Sequence, residues 1–284
     1  MEVFREEANN LQEYRQRIEK FQEKKNPSAL NEITRELEAQ GQLQTFFRGQ
    51  TSTEYEWKPS VFRENRLENE ARIYSRCITE FPAEFYGLNS IFDRLAKIQH
   101  YGGATRILDF TVCPLVALLF ACEDDSKDGE VAIYRTTYTD EQELGVKCLA
   151  FLATYPRELN AAFFDRLREY LETNCSDETL QKAMNQHYFV IPQITNERLR
   201  RQKGVFMAFG QKEGKQKTVS TLDENFGRGE NYPGYIGYIT IPATQKKAIL
   251  NELEHKNITK EYLMPDIEGT FKSITEGEKH ATVV

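Results

Sequence analysis

The chain contains no Cys-x-x-Cys pair, no clustered histidines and no long apolar run, and each gap removes a class of protein. Its five cysteines (Cys77, Cys113, Cys122, Cys148 and Cys175) are odd in number and scattered. They fit buried free thiols in a reducing compartment better than a disulfide framework. The four histidines (His100, His187, His255 and His280) are far apart, so no metal is expected. No stretch approaches the ~18 apolar residues of a membrane span. The start, Met1-Glu2-Val3-Phe4-Arg5-Glu6-Glu7, lacks the apolar core of a signal peptide. No membrane association and a cytoplasmic location are the expectations. The net charge of -7 disfavours broad nucleic-acid binding, which depends on Lys and Arg neutralising phosphates.

What is present is an ordinary globular composition. The 284 residues are 39% hydrophobic and 29% charged, enough for one large core or two small ones. Residues 2–25 carry Phe4, Leu11, Tyr14, Ile18 and Phe21 at near-helical spacing. This predicts one amphipathic helix, whose stripe either packs inward or makes a dimer contact. Asn26-Pro27 reads as the start of a second helix through Leu30, Ile33 and Leu37, closed by Gly41.

Strands are expected at 43–47, 105–110, 129–135, 188–194, 204–209 and 235–241. Helices are expected at 64–80, 89–99, 115–122, 158–186, 196–202, 243–256 and 266–274. The segment Leu115 to Cys122 is apolar on nearly every side and should be central. Residues 210–234 read as an exposed loop, and the tail after Glu276 as frayed. The predicted fold is α+β: a central mixed or antiparallel split sheet flanked by helices.

Three segments concentrate chemistry. Phe47-Arg48-Gly49-Gln50 ends a strand with an arginine, whose planar donors suit phosphate, beside a glycine that admits close approach. Alternatively, Arg48 is a structural ion-pair partner at a turn. The run from Gln99-His100-Tyr101-Gly102-Gly103 to Thr105-Arg106-Ile107-Leu108-Asp109 packs His, Tyr, Thr, Arg and Asp around two glycines. In a strand, Arg106, Leu108 and Phe110 share one face while Ile107 and Asp109 share the other. A buried ion pair of Arg106 or Asp109 is the competing explanation. The third segment, Arg198-Leu199-Arg200-Arg201-Gln202-Lys203, is a basic run in an acidic chain, read either as part of a site or as a solvated helix face.

Taken together these segments resemble the FRG domain family, named for its Phe-Arg-Gly motif. The matching residues are Phe47-Arg48-Gly49-Gln50; Trp57 with Pro59 to Arg63; Glu70; Gln99 to Gly102; Thr105 to Thr111; and Pro114 to Leu118. Arg198, Gln202 to Phe206 and Leu263 to Gly269 complete the set. The resemblance spans about 43–272. It implies an FRG-type domain over 43–275, and the residues outside it read as a helical extension over 1–42 and a flexible tail over 276–284.

A second resemblance, at the level of fold, is to arginine-type ADP-ribosyltransferases, whose first motif is a strand ending in aromatic-Arg-Gly. It implies an NAD pocket in which Arg48, Gly49, Gln50, His100, Tyr101, Thr105 and Arg106 bind the nucleotide. Arg48, Glu70, Asp109 and Gln202 would be the catalytic set. Those enzymes use a late-strand glutamate where this chain has Gln202, so the usual carboxylate is absent from its usual place.

The function implied is a bacterial or phage-associated toxin or defence effector that modifies a macromolecular target. The alternatives are a non-enzymatic nucleotide-sensing or interaction module, assembling as a homodimer through the N-terminal helix, and an RNA-directed toxin using Arg198 to Lys203.

Overall fold

The computed structural model describes residues 4–23, 32–64, 66–156, 158–193, 196–213, 217–218 and 234–264. A seven-stranded mixed sheet runs through its centre. In chain order the strands are β1 (Phe4–Glu7), β2 (Gln44–Gln50), β3 (Ile107–Thr111), β4 (Gly129–Thr136), β5 (Tyr188–Val190), β6 (Gly204–Ala208) and β9 (Gly234–Ile241). Between the last two, β7 (Gln211–Glu213) and β8 (Lys217–Thr218) form a separate pair. The spatial order is β1-β9-β4-β2-β3-β6-β5. Only β1 lies parallel to its neighbour; the other ladders are antiparallel.

Alternation along the strands buries both faces. Val131 and Ile133 of β4, with Ile239 and Ile241 of β9, meet α1 (Leu11–Glu23), α5 (Pro114–Cys122) and α10 (Lys246–Glu254). Ile107 of β3, with Phe206 and Ala208 of β6, packs on α4 (Ile91–His100), α6 (Leu144–Thr154), α7 (Ala161–Leu171) and α8 (Asp177–Met184). The intervening residues, among them Phe46, Leu108, Phe110, Tyr134, Val205 and Tyr238, form a third cluster on the opposite face, where Trp57 and Phe62 pack against it. The period-2 pattern therefore serves two cores at once.

The sheet is split. β2 pairs with β4 along all seven of its residues, from Gln44↔Thr136 to Gln50↔Glu130, and β3 pairs with β6 along all five, from Ile107↔Ala208 to Thr111↔Gly204. β2 and β3 themselves meet at one residue pair, Phe47↔Thr111. Beyond it Arg48-Gly49-Gln50 and Phe110-Asp109-Leu108 diverge, leaving a wedge between two well-formed half-sheets.

Helix α5 closes the base of that wedge. Its residues from Val116 to Cys122 are buried except Phe120, as its all-round apolar character predicts. It approaches β2 so closely that a Cβ on Gly49 would stand 1.8 Å from the Ala117 carbonyl oxygen.

Several expectations need correction. The helix predicted over 2–25 is a strand, β1, followed by α1: Phe4 pairs with Gly237 instead of sitting on a helical stripe. Phe4, Leu11, Tyr14, Ile18 and Phe21 are all buried in the chain's own core, and the Tyr14 hydroxyl donates to the Pro114 carbonyl at 2.8 Å. The apolar face offered as a dimer contact is thus covered intramolecularly.

The helix over 64–80 begins as a 3-10 turn, Arg66–Asn69, before α3 (Glu70–Glu80). The helix over 158–186 is two helices, because Glu172 adopts left-handed φ/ψ and Ser176 caps α8 through the Thr179 N–H. Helix α6 answers to no expected element. The helix start at Asn26-Pro27, the helix at 266–274, the tail after 276 and most of the loop at 210–234 lie outside the described residues.

Candidate functional site

Arg48 sits where β2 leaves β3. Period-2 alternation places it on the face of Phe46, half-buried, with its backbone still paired to β4. Its Nη1 donates to the Asp109 main-chain carbonyl at 2.6 Å. That bond spans the split and satisfies an acceptor the missing ladder would otherwise have used. Burial lowers the Arg48 pKa from the usual arginine value, and the Asp109 charge opposes the shift. The guanidinium stays protonated at any physiological pH.

Asp109 lies mid-strand yet is exposed, because the wedge opens beside it. Its Oδ2 accepts from Gln99 Nε2 at 2.8 Å. The other end of the Gln99 amide accepts from the Thr105 hydroxyl at 2.8 Å. Gln99 thereby ties the end of α4 to both ends of the Thr105–Asp109 run.

The wedge holds a cavity of about 300 Å³, lined by Arg48, Gln50, Asp109, Glu123, Arg198 and Gln202. Two arginines and two carboxylates therefore face one space, with Tyr55, Phe120 and Met264 as its larger apolar surfaces. Gln50 donates to the Tyr55 carbonyl at 3.0 Å and fixes that edge. Glu123 caps the end of α5 and pairs with Lys260 at 3.1 Å.

On the far wall is α9 (Glu197–Gln202), whose N-terminus is capped by the Asn196 side chain. Arg198 donates to the His100 carbonyl at 3.1 Å. The Gln202 side chain donates to the Leu263 carbonyl at 3.1 Å, and its main-chain carbonyl accepts from the Thr111 hydroxyl at 2.7 Å. Gln202 therefore anchors α11 (Lys260–Leu263) while lining the cavity.

Asp109, Arg198 and Gln202 also wall a much smaller neighbouring space of about 30 Å³, which His100 and Asp93 face. Burial, and then the nearby Arg198, pull the His100 pKa below its ordinary 6.5, so the imidazole is neutral at pH 7.

The residues expected in one site thus divide. Arg48, Gly49, Gln50, Asp109 and Gln202 share the cavity, and His100 adjoins it. Glu70 does not reach it, because it forms a buried bidentate pair with Arg106: Arg106 Nε donates to Glu70 Oε1 at 2.7 Å and Nη2 to Oε2. Both side chains are under 3% exposed, as the ion-pair alternative for Arg106 required. Thr105 is buried behind Gln99. Tyr101 points away, 66% exposed, onto a different groove.

In the basic run, Arg200 and Arg201 both bind Glu197, which offsets one of the four positive charges the sequence displays. Met264, within the segment Leu263 to Gly269 that carries the family resemblance, lines the cavity, as do Tyr55, Phe120 and Glu123, which no sequence motif singles out. The one available clue to Glu123 is its place as the first charge after an apolar helix that Gly49 lets against β2.

Two of the five cysteines, Cys122 and Cys148, are buried and inert by environment. Burial pushes Cys122 and Cys148 up to about 12. Among the described residues no cluster of His, Cys, Asp and Glu could hold a metal ion, and no helix is long and apolar enough to cross a membrane.

No curated protein and no solved structure matches the chain. A protein-family comparison does match: residues 43–130, which contain β2, β3 and α5 and so the Arg48, Asp109 and Glu123 sides of the wedge, are similar to the FRG domain.

Proposed function

We propose that the wedge between β2 and β3 is a nucleotide pocket, with NAD as its ligand. The observation that carries this reading is the Arg48–Asp109 contact across the split, at the mouth of a cavity lined by two cations and two carboxylates. Phosphate oxygens suit Arg48 and Arg198, since guanidinium groups donate in a planar fork. Among the described residues Arg48 uses only Nη1. Ribose hydroxyls suit the carboxylates of Asp109 and Glu123, and Tyr55 and Phe120 offer surfaces for a ring. A cavity of about 300 Å³ lies at the lower end of the range for small-ligand sites. It takes one mononucleotide half of NAD, and the other half extends toward solvent.

As an enzyme, the pocket would cleave the nicotinamide–ribose bond and pass ADP-ribose to a macromolecular target, a chemistry suited to a toxin or defence effector. Positive charge builds on the ribose as nicotinamide leaves, and a preorganised carboxylate stabilises it. With Glu70 held by Arg106, that role falls to Asp109 or Glu123. A non-enzymatic nucleotide sensor is the second reading. It is favoured by the Gln202 amide, which stands at the expected glutamate position and is tied to the Leu263 carbonyl.

Incubation with NAD, followed by chromatography for free nicotinamide, separates the two. Release by the natural protein, lost in Arg48→Ala and cut at least about tenfold in Asp109→Asn, supports the enzyme. Binding without release supports the sensor. The absence of both binding and release would reject the pocket assignment.

A further inference from the structure

A second, larger cavity lies elsewhere. A groove of about 700 Å³ runs between α3, the 3-10 turn Pro82–Phe85 and the end of α4. Arg72, Ile73, Arg76, Cys77 and Glu80 supply one wall. Their spacing of one, three, one and three puts them on a single helical face. α3 fully buries only Glu70 and Ala71, so this face is left to the groove. Opposite stand Phe85, Ile98 and Tyr101, with Phe81 at the end. Phe81 and Tyr101 are each 66% exposed, and Tyr86, one residue beyond Phe85, is 91% exposed. Large exposed aromatic surface gathered round one concavity marks a binding site.

The charges around this groove select the ligand. Glu80 is met by Arg76 at 3.4 Å. Glu84 is met by Lys97 at 3.0 Å and accepts from the Tyr101 hydroxyl at 3.3 Å. Arg72 has no ion pair or hydrogen bond among the described residues. An apolar trough with one uncompensated guanidinium at its wall complements an apolar body that bears one anionic head. We propose that this groove binds an amphipathic carboxylate with a medium-length acyl chain, the head on Arg72 and the chain along Ile73, Cys77, Phe85 and Ile98. This assignment does not rest on the nucleotide reading, and no residue is shared between the two cavities.

Sodium decanoate, decanol and decylamine are the probes, titrated calorimetrically below their micelle-forming concentrations. Saturable one-to-one binding of decanoate is expected. Arg72→Ala should weaken decanoate by about tenfold and leave decanol unchanged, while Cys77→Trp, which fills the trough, should abolish both. Decanoate should also slow alkylation of Cys77 by N-ethylmaleimide, followed by peptide mass mapping, so the site can be read without a substitution. Decylamine binding as tightly as decanoate, or decanoate insensitive to Cys77→Trp, overturns the proposal. A dimer in sedimentation that Phe81→Ser dissolves, with no decanoate binding, overturns it too, because a second copy would then be the occupant.

Discussion

The Arg48 guanidinium reaches the main-chain carbonyl of Asp109 at 2.6 Å, joining two half-sheets where their ladder has already ended. Phe47 still pairs with Thr111; one residue later a side chain has replaced the backbone bond. The arginine therefore has two tasks, bracing the wedge and presenting charge to it. Arg48→Ala should lower stability by about 1 kcal/mol, the net worth of a hydrogen bond whose exposed acceptor can turn to water, and this can be read as a lower urea midpoint. Arg48→Lys keeps the charge but not the fork, and should recover part of the stability with little of the nucleotide affinity.

Glu70 and Arg106 make the opposite case. Their pair is buried and bidentate and lies outside the nucleotide cavity. Glu70→Gln should cost about 3–5 kcal/mol, because a buried guanidinium loses its counter-charge. Nucleotide affinity of the folded fraction should remain near that of the natural protein. A Glu70→Leu/Arg106→Met double variant should recover much of the loss in urea denaturation. Lost affinity in a well-folded Glu70→Gln protein would return Glu70 to the site.

Gly49→Ala should be among the most damaging small substitutions. The added methyl would stand 1.8 Å from the Ala117 carbonyl oxygen and 2.7 Å from the Ala121 amide nitrogen. Both are backbone atoms that cannot rotate away. A loss of about 3 kcal/mol or more is expected, seen as low soluble yield or a markedly earlier thermal transition.

His187 should make the fold acid-sensitive. Burial depresses its pKa from 6.5 to about 3. Its Nδ1 accepts from the Gly210 N–H at 3.0 Å, and its ring lies 4.7 Å from that of Phe209. A depressed histidine binds its proton more readily unfolded than folded. Its stabilising contribution is therefore complete above pH 6.5 and declines as pH falls toward 3, by at most about 1.4 kcal/mol per pH unit. Urea midpoints of the natural protein and His187→Gln, measured from pH 7 to pH 4, should show the steeper decline in the natural protein.

Where periodicity is regular, the sequence reveals the architecture. The apolar, β-prone runs of β4 and β9 and the all-apolar α5 form the elements expected of them. β1 is hidden because four residues with one buried aromatic cannot be told from the start of the helix that follows. α6 is hidden because its hydrophobic surface runs almost all the way round, which leaves no period to detect. For the candidate site, Arg48 is legible from its place beside Gly49 at a strand's end, and Asp109 from the dense polar run that follows Gly102-Gly103. Whether Glu70 joins Arg48 or Arg106 depends on how α3 packs, which no local pattern records. Tyr55 and Phe120 reach the wedge from elements that no local pattern links to Arg48, and are visible only in three dimensions.

The most direct measurement is isothermal titration of NAD into the purified protein and into Arg48→Ala, at protein concentrations that detect micromolar affinity. A nucleotide pocket at the wedge requires saturable one-to-one binding to the natural protein and a loss of at least about tenfold in the variant. No heat with either protein, or equal binding by both, would contradict it.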